Sequence, residues 1–156
     1  MKTVNRFAKR VVCATTGMLL SASAMADTGF STTSNPAWKM ECGSCHVAYP
    51  PSMLPADSWR VLMLGLEQHF GVDASVDAKS AAEIGAFLRK NAAGKREALA
   101  KPILRVTETA WFRHEHDEIN PALWKNPKVK TPANCAACHS GAEQGNFSEQ
   151  GIRLPK

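Results

Sequence analysis

The sequence predicts a mainly α fold arranged as two small helical lobes. Three observations lead there. Three stretches place apolar residues at helical spacing, and no convincing βαβ pattern accompanies them. A five-residue pattern, Cys-x-x-Cys-His, occurs at 42–46 and again at 135–139. Between the two, "AGKREALAKP" is charged and bounded by Gly and Pro, the composition of a linker. The expected organisation is a leader at 1–26, an N-terminal lobe at 27–94 and a C-terminal lobe at 95–156.

The leader comes first. Lys2, Arg6, Lys9 and Arg10 form a positive cluster, Val11 to Leu20 is a mostly apolar run, and Ala24-Met25-Ala26 places small residues where a signal peptidase cuts. The expectation is an export signal removed after Ala26. The apolar run is shorter than the roughly 20 residues a spanning helix needs, so no membrane span is expected after cleavage. The 130 residues that remain carry 15 Lys/Arg against 14 Asp/Glu, a formal charge of +1. The basic pI of the whole chain therefore belongs to the leader and does not indicate a nucleic-acid surface. Cys13 leaves with it, so Cys42, Cys45, Cys135 and Cys138 are the cysteines of the exported chain.

The first motif, Cys42-Gly43-Ser44-Cys45-His46, has three candidate chemistries. A zinc ribbon brings two Cys pairs together across about 15–20 residues, whereas Cys45 and Cys135 lie 90 positions apart. A thioredoxin-like pair sits between a strand and a helix. Neither needs a histidine at the next position. Covalent haem attachment does: both thiols add to the macrocycle, and the adjacent imidazole sits under the iron. Two such motifs use every cysteine of the exported chain. Two haem c groups are expected, one on Cys42, Cys45 and His46, the other on Cys135, Cys138 and His139. The large apolar macrocycles would also supply much of the core of a short chain.

Next, "ADSWRVLMLGLEQHFG" predicts a helix from about Asp57 to Phe70, ended by Gly71. His69 shares an apolar face with Leu62, Gly65 and Leu66, which makes it a candidate sixth ligand. "DAKSAAEIGAFLRKNAA" predicts a helix with Ile84, Phe87 and Leu88 on its buried face. "TETAWFRHEHDEIN" predicts a helix from about Thr107, stopped by Asn120-Pro121. Phe112, His116 and Ile119 form its apolar stripe, so His116 is the other candidate ligand, with His114, on the more solvated side, the weaker alternative. Met40, Met53 and Met63 are the competing ligand types, and Met63 is expected in the core. His46 to His69 and His116 to His139 each span 23 positions, in opposite order, so each lobe could close its own haem; a crossed pairing stays open. Lys125, Lys128 and Lys130 make a basic loop that reads best as solvated. Trp38, Trp59, Trp111 and Trp124 read as packing around the haems.

With these residues in view, the sequence resembles the dihaem cytochrome c family of exported bacterial electron carriers, over roughly Trp38 to Pro155. "CGSCHVAYPPSMLPADSW", "LEQHFGVDAS", "WFRHEHDEI" and "NCAACHSGAEQGNF" carry the resemblance. It implies cytochrome c-like lobes and bis-histidine ligation of both irons, with His46 and His139 proximal and His69 and His116 distal. It also implies single-electron transfer in the periplasm rather than enzymatic catalysis, and redox partners such as a high-spin, ligand-binding cytochrome c or a membrane cytochrome b. The rival reading is a haem enzyme or gas-binding sensor with one open iron, which requires His69 or His116 to leave its iron unbound.

Overall fold

In a computed structural model, residues 30, 33–94 and 101–156 are described. The expected leader, Cys13 and most of the linker lie outside them. The described residues are mainly helical, with isolated bridges but no strand among them. Five helices form: α1 (Pro36–Gly43), α2 (Ala56–Leu64), α3 (Ala78–Asn91), α4 (Ala110–Glu115) and α5 (Pro121–Trp124). Single 3₁₀ turns make up most of the remaining regular structure.

The first half is built on α3. Asp77 caps it by accepting the N–H groups of Lys79 and Ser80, and Arg89 and Lys90 sit at its dipole-favoured end. Ile84 and Leu88 are buried on its inner face, as the periodicity predicts, and Phe87 packs on Trp38. α1 begins at Asn35-Pro36: the Asn35 side chain accepts from the Trp38 N–H, and its amide donates to Glu83 on α3 at 2.7 Å. α2 also packs on α3, burying Trp59, whose indole N–H donates to the Pro51 carbonyl at 2.6 Å.

Two helices are shorter than the sequence predicts. α2 ends at Leu64, because Gly65 leaves helical geometry at φ −120°. The chain then makes a 3₁₀ turn, Leu66–Gln68, before His69. α4 begins at Ala110, where the Thr109 hydroxyl accepts the Phe112 N–H. The Asn120-Pro121 pair that stops the predicted helix is also the start of α5, with Asn120 as its cap.

Trp38, Met53, Leu54, Trp59, Ile84, Leu88, Val106 and Phe112 form one buried cluster. Val106 and Phe112 come from the second half, so the core runs across both halves of the chain.

Candidate haem sites

Each motif occupies a tight helical turn. Cys42 lies in the last turn of α1, and Cys45 and His46 follow as the chain leaves it. In the second, Cys138 and His139 both donate backbone N–H groups to the Cys135 carbonyl, at 3.1 and 2.8 Å. Positions i, i+3 and i+4 of such a turn share a side, and Cys135, Cys138 and His139 all line one cavity. Burial pushes the Cys42 and Cys135 thiols up to about 11 and raises Cys138 as well. None of the four is in a disulfide.

The histidines pair across each motif. The His46 and His69 rings lie 6.3 Å apart, centroid to centroid, with planes 19° apart. The His116 and His139 rings lie 6.1 Å apart, with planes 70° apart. An imidazole nitrogen binds a transition metal at about 2.0 Å, and the ring centroid lies about 1.2 Å behind it. Two imidazoles on opposite sides of one ion therefore have centroids about 6.4 Å apart. Both pairs fit a single intervening iron, and the uncrossed pairing fits both spacings of 23.

The tautomers fit as well. His46 Nδ1 lies 2.7 Å from the Val47 carbonyl, and His116 Nδ1 lies 2.9 Å from the Phe112 carbonyl. A carbonyl can only accept, so the proton is on Nδ1 and the Nε2 lone pair is free for a metal. In His69, Nδ1 is buried and has no hydrogen-bond partner. Burial first, then His46 and Arg105, lowers its pKa and favours the neutral ring that a metal needs. The backbone turns sharply just after it. Phe70 and Gly71 have φ of +50° and +96°, and Val72 donates to the His69 carbonyl at 3.1 Å. Arg105 caps the Phe70 ring at 4.0 Å.

His116 sits at the C-cap of α4 rather than inside it, stacked on Phe112 at 4.0 Å. His114 points away: its side chain is 81 % exposed and faces Asp117 at 4.0 Å. Among the methionines, Met40 is exposed and Met63 packs against the core. Met53 is buried and borders the second site.

A cavity of about 570 Å³ surrounds the second pair, a volume suited to a large organic group. His116, Cys135, Cys138 and His139 line it together with Trp111 and Trp124. The sequence reading missed several walls. Phe30, Val129 and Phe147 close the cavity, and Val129, between two exposed lysines, is only 1 % exposed. The C-terminal segment also reaches it. Arg153 N–H donates to the Cys138 carbonyl at 2.7 Å, and Ser140 donates to the Gly151 carbonyl. At the first site Leu64, Phe70 and Val72 are exposed apolar residues around His69. Trp38 and Trp59 belong to the core, so the four tryptophans divide between core and cavity.

The dihaem cytochrome c family model matches residues 38–147. A dihaem cytochrome c from Rhodobacter sphaeroides is 40% identical, with a TM-score of 0.68, over 74% of this chain and 98% of that one. A dihaem c-type cytochrome from Shewanella baltica is 41% identical, also at TM-score 0.68, over 78% of this chain and 93% of that one. No curated protein matches the chain.

Proposed function

The chain belongs to the dihaem cytochrome c family, and on that premise we propose that it is a periplasmic carrier of single electrons with two bis-histidine haems. Two covalently bound haem c groups follow from the family itself. Cys42 and Cys45 anchor one and Cys135 and Cys138 the other. His46 with His69, and His116 with His139, would hold the two irons. The observation that carries this reading is the pair of ring separations, 6.3 and 6.1 Å, each matching two imidazoles on one iron.

When bound, the iron supplies a one-electron change between ferric and ferrous states. The protein's part would be to supply two imidazoles to each iron, so that no substrate binds and little rearranges as the charge changes. The carbonyls of Val47 and Phe112 hold His46 and His116 in the required tautomer. Phe112, Trp111, Trp124 and Phe147 exclude water around the second site. Bis-histidine ligation lacks the methionine that raises potential, so both potentials are low to moderate.

The charged cluster and apolar run at 1–26 support export. No described helix is long and apolar enough to cross a membrane. The partners are other redox proteins, a ligand-binding cytochrome c or a membrane cytochrome b met by docking. Protein recovered from the periplasm is expected to begin at Asp27.

The test is the ferrous absorption spectrum of the haem-loaded protein with and without carbon monoxide. An unchanged Soret band is expected. A shift in part of the band would reveal an open iron and return the protein to the class of haem enzymes or gas sensors.

A further inference from the structure

Arg105 stands at the first site although it belongs to the second half of the chain. Its guanidinium carbon lies 4.0 Å from the centre of the Phe70 ring, and that ring lies 4.8 Å, centroid to centroid, from His69. Imidazole, phenyl and guanidinium thus follow one another. The backbone holds both ends of this series. Phe70 comes directly after His69 at φ +50°, in a turn closed by Val72 N–H on the His69 carbonyl at 3.1 Å and Ala74 N–H on the Leu66 carbonyl at 2.9 Å. Arg105 precedes Val106, which is buried in the shared core, and its carbonyl accepts the Glu108 N–H at 3.0 Å. The Arg105 side chain is 49 % exposed, with Nε 3.7 Å from the Glu108 carboxylate. An ion pair so exposed is weak, and the Phe70 ring adds a cation–π contact. After burial and His46, Arg105 is the third influence that lowers the His69 pKa, so its field reaches the imidazole.

We propose that Arg105 is a fixed positive charge, positioned by the Phe70 ring, that raises the potential of the haem held by His46 and His69. This rests on the bis-histidine reading above. Reduction by one electron from a redox partner takes the iron from ferric to ferrous and lowers the net charge of the site by one. A nearby cation favours the lower charge. Arg105 makes and breaks no covalent bond, and a guanidinium keeps its proton throughout.

The experiment is a redox titration of the haem-loaded wild type, Arg105→Gln and Arg105→Lys, followed through the low-spin EPR signals. His116→Ala identifies the signal of the first site, as the low-spin one that it retains. In Arg105→Gln the oxidised-to-reduced ratio of the first haem at a fixed potential should rise about threefold, or about 28 mV at roughly 59 mV per tenfold for one electron. The second haem should change far less. Arg105→Lys keeps the charge and should keep a ratio close to wild type. Raising the ionic strength from about 0.01 M to about 1 M shortens the screening length from about 30 Å to about 3 Å, and should erase most of the difference between wild type and Arg105→Gln. A merely structural role would follow neither the charge nor the salt. An unmoved first haem in Arg105→Gln, equal shifts at both haems, a lysine variant that behaves like the glutamine one, or a difference that survives high salt would each overturn the proposal. A carbon monoxide shift in the wild type would instead defeat the underlying ligand reading, before any substitution is made.

Discussion

The two histidine pairs follow one local recipe in very different surroundings. Each has a Cys-x-x-Cys-His turn, a second histidine 23 positions away, and imidazoles about 6 Å apart. Around the first pair, His46 and Cys45 are exposed, and Leu64, Phe70 and Val72 turn apolar surface to solvent. Around the second lies a walled cavity of about 570 Å³, closed by aromatic residues and by the C-terminal segment paired with the motif. The motif and the ring separation are thus alike at the two sites, while the angle between the ring planes, the dielectric and the solvent access are set by packing and differ. A haem's potential responds to burial as well as to its ligands.

The largest effect expected from this contrast is on folding. Cys135→Ala with Cys138→Ala should halve the haem content and also loosen the second half, whose walls have the cavity as their shared interior. Cys42→Ala with Cys45→Ala should halve the haem content yet leave more helix by far-UV circular dichroism, because Trp38, Leu54, Trp59, Ile84 and Leu88 pack on one another. Equal losses of helix would break the comparison.

Ligand substitution comes next. His116→Ala should turn one haem high-spin in the absorption and EPR spectra, and His114→Ala should leave both low-spin. The reverse would reassign the distal ligand. The ring planes sharpen this further. Near-parallel imidazoles at the first site and steeply crossed ones at the second should give two distinct low-spin EPR signals, one rhombic and one strongly axial. A single shared signal would contradict the 19° and 70° angles.

A smaller effect is expected on potential. Low dielectric disfavours the more highly charged ferric state, so the walled site should have the higher potential, by on the order of 60 mV, a tenfold preference for one electron. A redox titration of the His116→Ala and His69→Ala variants would assign each step; a higher potential at the first site would mean that charge placement outweighs burial.

The smallest effects concern one glycine at each site. At Gly141 a Cβ would come within 2.9 Å of the Asn146 Cβ, in the turn that leads to Phe147, so Gly141→Ala should cost about 1–3 kcal/mol. Gly71, next to His69, has open space but a φ of +96°, so Gly71→Ala should cost about 1 kcal/mol. Urea denaturation of the haem-loaded variants would rank them.

Much of the site was readable residue by residue. The sequence favours His116 over His114 because it falls four residues after Phe112, and the two rings stack although α4 ends at Glu115. The ring folds back on the last turn and its Nδ1 donates to the Phe112 carbonyl. The apolar neighbours of His69 imply a helix through it, yet it stands beyond a 3₁₀ turn, because Gly65 breaks the helix earlier than periodicity implies. α1 leaves almost no trace in the sequence. It buries a single residue, Trp38, so it has no apolar stripe, and its one sequence signal was the Asn35-Pro36 start.

The sequence by itself determined the two Cys-x-x-Cys-His motifs and the candidate histidine 23 positions from each. Those choices depend on the few-residue reach of one helical turn, on the chemistry of adjacent thiols and imidazole, and on caps and glycines that act on their own neighbours. Tertiary structure alone decided that His46 lies beside His69 and His116 beside His139, and that one pair borders a walled cavity while the other lies near exposed apolar residues. It also decided that Tyr49 meets Ala133 across 84 positions. Contacts between residues so far apart leave no periodic trace in the chain. They exist because one core has to be closed by both halves at once, and only the packed solution selects which distant surfaces meet.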